Sequence, residues 1–133
     1  MSNYQAPLRD IHFVLNEVFD VGRQWPAMPR LADNLDMDTA QAILEEAGKV
    51  TASLVSPLNR SGDEEGCTWN DGVVATPTGF PKAYQAYAEG GWVGVGGSPD
   101  FGGMGMPKVI CAQVEEMVNS ANLSFGLYPM LTA

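Results

Sequence analysis

Apolar residues return every three or four positions in four separate stretches of this chain, and that spacing gathers each set on one helical face. In residues 10–19 the set is Ile11, Val14, Leu15 and Val18. The second stretch begins where Asp38 and Gln41 can satisfy unpaired backbone amides reciprocally, and it carries Ile43, Ala47, Val50, Leu54 and Leu58 down one face. Pro81 stands where a first helical residue can spare its amide, and Ala83, Tyr84, Tyr87 and Ala88 follow until Gly90 and Gly91 end the run. Pro107 opens the last stretch, with Val109, Ile110, Val114, Met117 and Val118 as its stripe, and residues 124–133 resume a helical pattern in spite of Pro129. A chain patterned in this way folds as a mainly α domain.

The intervals between the stretches differ in kind. Residues 20–36 are interrupted by Pro26 and Pro29 and read as a connector, with a short turn over residues 30–35. Pro57 limits the second helix, and residues 59–66 are polar and charged, which predicts an exposed loop. In residues 67–76, Thr68, Trp69, Val73 and Val74 favour extended backbone and flank Asn70, Asp71 and Gly72, a sequence that tolerates positive φ, so a small β-hairpin is expected there. Residues 92–106 are rich in glycine and broken by Pro99, which predicts an ordered loop with unusual backbone angles.

Composition narrows the partners. Seven basic residues against 16 acidic ones give a formal net charge of −9, and nucleic acid or an anionic membrane would need a positive surface instead. No apolar run approaches the roughly 20 residues of a membrane-spanning helix. The two cysteines, Cys67 and Cys111, lie far apart behind a start that carries no apolar signal segment, so a reducing compartment is expected and the cytoplasm is the default.

The residues that could carry chemistry form no constellation. The glycines of residues 90–105 give no complete dinucleotide fingerprint, no apolar strand precedes them and no Lys-Ser or Lys-Thr pair follows, so they read as a structural loop rather than a phosphate cradle. His12 is the only histidine and has no cluster of partners for a metal, and neither cysteine has a second histidine to activate it, so both cysteines read as small hydrophobes. Glu45 with Glu46, Asp63 with Glu64 and Glu65, and Glu115 with Glu116 are acidic runs. Adjacent helical positions point about 100° apart, so the helical pairs do not converge on one substrate atom and read as solvated faces.

Three segments carry a family resemblance. They are Glu89-Gly90-Gly91-Trp92-Val93-Gly94, then Ser98-Pro99-Asp100-Phe101-Gly102-Gly103-Met104-Gly105-Met106-Pro107, then Glu115-Glu116-Met117 with Ser120-Ala121-Asn122. In order and spacing they resemble the acyl-CoA dehydrogenase family, in which a Pro, an acidic residue, an aromatic and Gly-Gly-x-Gly precede a long helix bearing an acidic pair. Tyr4-Gln5-Ala6-Pro7-Leu8-Arg9-Asp10 and Tyr128-Pro129-Met130-Leu131-Thr132 resemble the longer subgroup, which includes 3-methylmercaptopropionyl-CoA and broad-range fatty acyl-CoA dehydrogenases.

The resemblance implies the all-helical N-terminal domain of that fold, truncated, with the β-barrel domain and C-terminal helical bundle absent. It implies FAD in the full-length enzyme, held mainly between the absent domains, and no cofactor or metal on this fragment. The reaction implied is removal of an α proton from an acyl-CoA thioester by a glutamate while hydride passes from the β carbon to the flavin. That glutamate is expected in the absent bundle; Glu115 and Glu116 match the helical acidic pair and not the base, so no catalytic residue is expected here. Phe125, Gly126 and Pro129 fall at positions that line the acyl-chain pocket, with ordinary core packing as the other reading of Phe125. The implied partners are the acyl-CoA substrate, an electron-transfer flavoprotein as acceptor, and further copies in a homo-oligomer when full length. The fragment is expected to be inactive alone; a stand-alone helical binding or interaction module is the alternative.

Overall fold

The computed structural model describes residues 4–32 and 35–132, and two fourteen-residue helices form its centre, α3 (Met37–Val50) and α6 (Lys108–Ala121). Ahead of them in the chain lie α1 (Leu8–Phe13) and α2 (Val21–Gln24). Between them lie α4 (Asn59–Glu65), the strands β1 (Thr68–Asn70) and β2 (Val73–Ala75), and α5 (Phe80–Glu89). The last element is α7 (Leu123–Thr132), which contains Pro129. The mainly helical fold with one small hairpin is the architecture that the patterning predicts.

Two apolar clusters divide the interior. The first joins Ala40, Leu44 and Ala47 of α3 and Ile110, Val114 and Met117 of α6 to Ile11, Leu15, Val21 and Trp25. The second gathers Val55, Phe80, Ala83, Tyr87, Val118 and Phe125, so that α6 contributes to both. Aromatic edges hold the second cluster: the Phe125 ring meets Phe80 at 5.8 Å and Tyr87 at 5.9 Å between centroids, both near perpendicular. That arrangement sets the positive edge of one ring against the negative face of another.

Several local expectations are corrected. Asp36 caps α3 rather than Asp38: its backbone is extended (φ −118°, ψ 176°) and its Oδ1 accepts the Thr39 backbone N–H at 2.7 Å. Asp38 lies inside the first turn, and Gln41 donates to Glu45 along the helix instead. The buried face of α3 is also rotated from the predicted one. Leu44, Ala47, Thr51 and Val55 are fully enclosed, whereas Ile43, Val50, Leu54 and Leu58 are half-buried at its margin. The helix widens into a π turn over Thr51–Val55, and the extra residue in that turn changes the phase of the stripe. A second π turn, Val14–Val18, follows α1 and leaves Val18 and Phe19 exposed, so the first helix is not the single stripe expected over residues 10–19.

The connector expected over residues 20–36 is partly helical. Val21–Gln24 and the 3₁₀ turn Trp25–Ala27 put Val21 and Trp25 in the core, with Pro26 at the start of its turn where no amide is needed. Met28 accepts the backbone amides of Leu31 and Ala32, while part of the turn expected over residues 30–35 lies outside the described residues. Residues 59–66 are a helix and not a loop. Pro57 occupies the first positions of the 3₁₀ turn Ser56–Leu58, Arg60 Nε meets Glu64 Oε1 at 2.8 Å one turn later, and Gly62 lets the Phe80 ring pack against the backbone. The hairpin forms as predicted, with Trp69 opposite Val74 and with Asp71 (φ 46°) and Gly72 (φ 84°) in the left-handed region at its tip. All six strand residues are exposed, so the hairpin stands off the body.

Candidate functional site

The glycine-rich segment after α5 is a scaffold tied by its own backbone. Met104 N–H bonds the Gly94 carbonyl at 2.9 Å, Gly105 N–H the Gly97 carbonyl at 2.9 Å and Met106 N–H the Val95 carbonyl at 2.9 Å. Glycine is obligatory at position 103 for a steric reason, since a Cβ there would fall on the Gly97 carbonyl oxygen. The Gly97, Gly102 and Gly103 amides are likewise bonded to carbonyls inside the loop. A phosphate cradle needs free amides converging on an anion, and these amides already have partners.

At the other side of the site, α7 hangs from Asn122. This residue is extended (φ −162°, ψ 91°) where α6 ends, and its side chain is buried. Its Oδ1 accepts the Phe125 backbone N–H at 3.1 Å and the Ser124 hydroxyl at 2.8 Å, which caps α7, while its Nδ2 donates to the Val55 carbonyl at 3.3 Å. One side chain therefore starts α7 and fixes it to the end of the α3 helix. The signal was readable as a polar cap before an apolar run, although the partner on α3 was not.

Between the loop and the α6–α7 corner lies a cavity of about 230 Å³. Trp92, Val93 and Val95 form one wall, Val114 and Val118 of α6 a second, and Gly126, Pro129 and Met130 of α7 a third. Its polar groups are Tyr87, Lys108, Cys111, Glu115 and Asn119. Of the three residues that the sequence singles out, Gly126 and Pro129 line this cavity, and Phe125 lies behind them, fully buried among Phe80, Tyr84 and Tyr87. Asn119, Trp92 and Tyr87 were not legible as wall residues, because only folding brings the loop and α5 against α6.

Burial sets the chemistry of the ionisable groups here. The Tyr87 hydroxyl is pushed up to about 12, chiefly by burial and further by the negative charge of Glu115, so it stays a neutral phenol. Burial also raises the Cys111 thiol, with Lys108 acting in the opposite direction and Glu115 in the same one. Cys111 thus behaves as the small buried hydrophobe expected, its Sγ directed at the Met106 carbonyl. Cys67 corrects its expectation: it is exposed at the foot of the hairpin, because the strands project into solvent. It lies beside Tyr128, whose hydroxyl is raised first by burial and then by that thiol.

Glu115 and Glu116 are both exposed, and Glu115 alone of the two borders the cavity. The other acidic runs have local roles. Glu46 pairs with Lys49 at 3.1 Å on the surface, and Glu65 accepts the Thr78 backbone N–H at 2.9 Å and its hydroxyl at 2.8 Å, which closes the base of the hairpin. His12 is half-buried in α1. Among the described residues no three His, Cys, Asp or Glu side chains gather as metal ligands, and no helix is long and apolar enough to cross a membrane.

No protein-family model matches the chain. Its sequence is similar to 3-methylmercaptopropionyl-CoA dehydrogenase of Ruegeria pomeroyi, at 40% identity over 97% of this chain and 22% of that protein. It is similar also to a broad-specificity linear acyl-CoA dehydrogenase of Mycobacterium tuberculosis, at 31% identity over 96% of this chain and 21% of that one. The chain spans about a fifth of the length of these curated relatives.

Proposed function

On the premise that this segment belongs to the acyl-CoA dehydrogenase family, to which its sequence similarity assigns it, we propose that it is the helical front part of a flavoenzyme and walls the acyl-chain pocket. The reaction is α,β-dehydrogenation of an acyl-CoA thioester, with the α proton going to a carboxylate base outside this segment. FAD supplies the acceptor for the hydride that leaves the β carbon. The Gly97, Gly102, Gly103, Met104 and Gly105 amides of the loop are bonded to carbonyls and do not offer a cradle for a flavin's phosphates, which supports assigning the cofactor to the rest of the protein.

The observation that carries the reading is the α7 wall of the cavity. Gly126 and Pro129, two of the three pocket positions implied by the resemblance, face the same space beside Val118 and Met130. Glycine lets an alkyl chain approach the helix backbone, and proline presents a ring with no amide to desolvate. Phe125 backs them from the core and holds α7 at its distance from α5. The pocket excludes water from the alkyl end, whose transfer out of water drives binding. The thioether acyl group in the name of one relative and the linear acyl groups in the name of the other are both unbranched chains that suit such a slot.

An electron-transfer flavoprotein as acceptor, a homo-oligomeric full-length enzyme and a cytoplasmic location belong to the same proposal. The test is direct. The full-length protein should be yellow, bleach on addition of an acyl-CoA under anaerobic conditions, and reduce an artificial acceptor. The 133-residue segment alone should be colourless and inert. Flavin or turnover in the segment would overturn the division of labour, and a full-length protein that leaves every acyl-CoA unoxidised would overturn the function.

A further inference from the structure

Tyr87 and Glu115 bring two different hydrogen-bonding groups to one cavity. Tyr87 is only 4% exposed, and its ring is held by Phe125 and Trp92 at 5.9 and 6.5 Å between centroids. Among the described residues, Asn119 Oδ1 is the enclosed side-chain polar atom that lacks a partner. The Tyr87 hydroxyl forms no hydrogen bond among them either, so it is not enclosed but opens on free space, and the hollow that Tyr87 borders is the cavity. Glu115 borders the same cavity from α6, and its charge reaches the phenol oxygen. Lys108, about two turns earlier on α6, lines it as well.

A phenol can give one hydrogen bond and accept another, whereas a carboxylate only accepts. An alkyl chain filling the space strips water from both groups and returns nothing. An ether or thioether can accept from the phenol but leaves the carboxylate unpaired. A second carboxylate is repelled by Glu115, and an ammonium is repelled by Lys108. An alcohol satisfies both groups, since its oxygen accepts from Tyr87 and its hydrogen goes to Glu115. We propose that Tyr87 and Glu115 form a hydroxyl-binding subsite in the cavity, which takes acyl-CoA thioesters bearing an alcohol at the distal end of the acyl chain. The proposal rests on the acyl-pocket reading above, in which this cavity receives the end of the chain remote from the thioester.

The test compares ω-hydroxyhexanoyl-CoA with heptanoyl-CoA, and ω-hydroxyoctanoyl-CoA with nonanoyl-CoA, pairs of equal length that differ by hydroxyl for methyl. In the full-length enzyme, Tyr87→Phe keeps the ring and removes the phenol oxygen. It should shift the ratio of kcat/KM values toward the alkyl member by about 5-fold or more in the pair whose hydroxyl reaches the subsite. Glu115→Ala, at an exposed position, should shift the same pair in the same direction. In the double variant the two shifts should fail to add, because each group needs the other to hold the alcohol. The dissociation constants of the matching non-oxidisable S-(ω-hydroxyalkyl)-CoA and S-alkyl-CoA thioethers should move likewise, a discrimination that a purely structural role of either residue leaves unchanged. Ratios within about twofold of wild type in both pairs, in folded and flavin-loaded variants, would overturn the proposal. A wild-type protein that oxidises no acyl-CoA at all would instead remove the pocket reading on which it rests, and that control tells the two failures apart.

Discussion

Replacing Asn122 by alanine should unfasten α7, and the size of the effect can be built from its bonds. The cap to Phe125 N–H is lost, at about 1 kcal/mol for a typical N-cap. The buried bond from Nδ2 to the Val55 carbonyl is lost as well, at about another 1 kcal/mol. With the small void left at a site only 1% exposed, the sum is about 2–3 kcal/mol, or roughly 6–15 °C in Tm for a domain of this size. Urea unfolding followed by tryptophan fluorescence and far-ultraviolet circular dichroism measures it, with the slope unchanged if both states keep their compactness. Asn122→Asp separates the two bonds, since aspartate keeps the acceptor that caps α7 and loses the donor to Val55. Burial raises the pKa of such a carboxyl in the folded state, so the variant is penalised at neutral pH and recovers as pH falls toward the unfolded carboxylate value, where the protonated group can donate again. An alanine variant that loses less than about 0.5 kcal/mol, or an aspartate variant that does not recover in acid, would refute the assignment of both bonds.

The other predictions concern the core, the loop and the buried phenol. Phe125→Ala should cost about 3–5 kcal/mol, read as a lower urea midpoint, because the ring is fully enclosed among Phe80, Tyr84 and Tyr87; Phe125→Leu should retain most of that stability. Gly102→Ala and Gly103→Ala should differ although they are neighbours. At 102 the positive φ of 84° with open space around it costs about 1–2 kcal/mol, whereas at 103 the methyl group meets the Gly97 carbonyl and should open the loop to limited proteolysis. Tyr87 adds stability that is complete below its unfolded value near pH 10 and is lost as pH rises toward about 12. The loss should be about 2–3 kcal/mol, seen in base titration of the unfolding free energy and absent in Tyr87→Phe.

Local chemistry was the legible part of this protein. The helices α5 and α6 begin at the prolines that announce them, and the hairpin turns at Asp71 and Gly72, because backbone sterics act within a few residues. Two of the misreadings share one cause, since the proline-broken residues 20–36 and the polar residues 59–66 read as connector and loop from local propensity alone. Residues 59–65 became helical once Gly62 could pack on Phe80, and residues 21–27 did so once Trp25 found the first core. In both, burial supplied what local propensity lacked.

The candidate site divides in the same way. Its α7 positions, Gly126 and Pro129, could be named from sequence, because a motif fixes their order along one helix. Which of the two readings of Phe125 holds, and that Asn119 takes a place in the wall, could not be decided from sequence, because both depend on which neighbours arrive around the α6–α7 corner. Periodicity and turn chemistry by themselves determined a mainly helical chain with one hairpin and a glycine-rich loop. Only the tertiary structure decided which face of each helix lies inside and which side chains share the cavity, since close packing between elements distant in sequence is settled by their mutual fit.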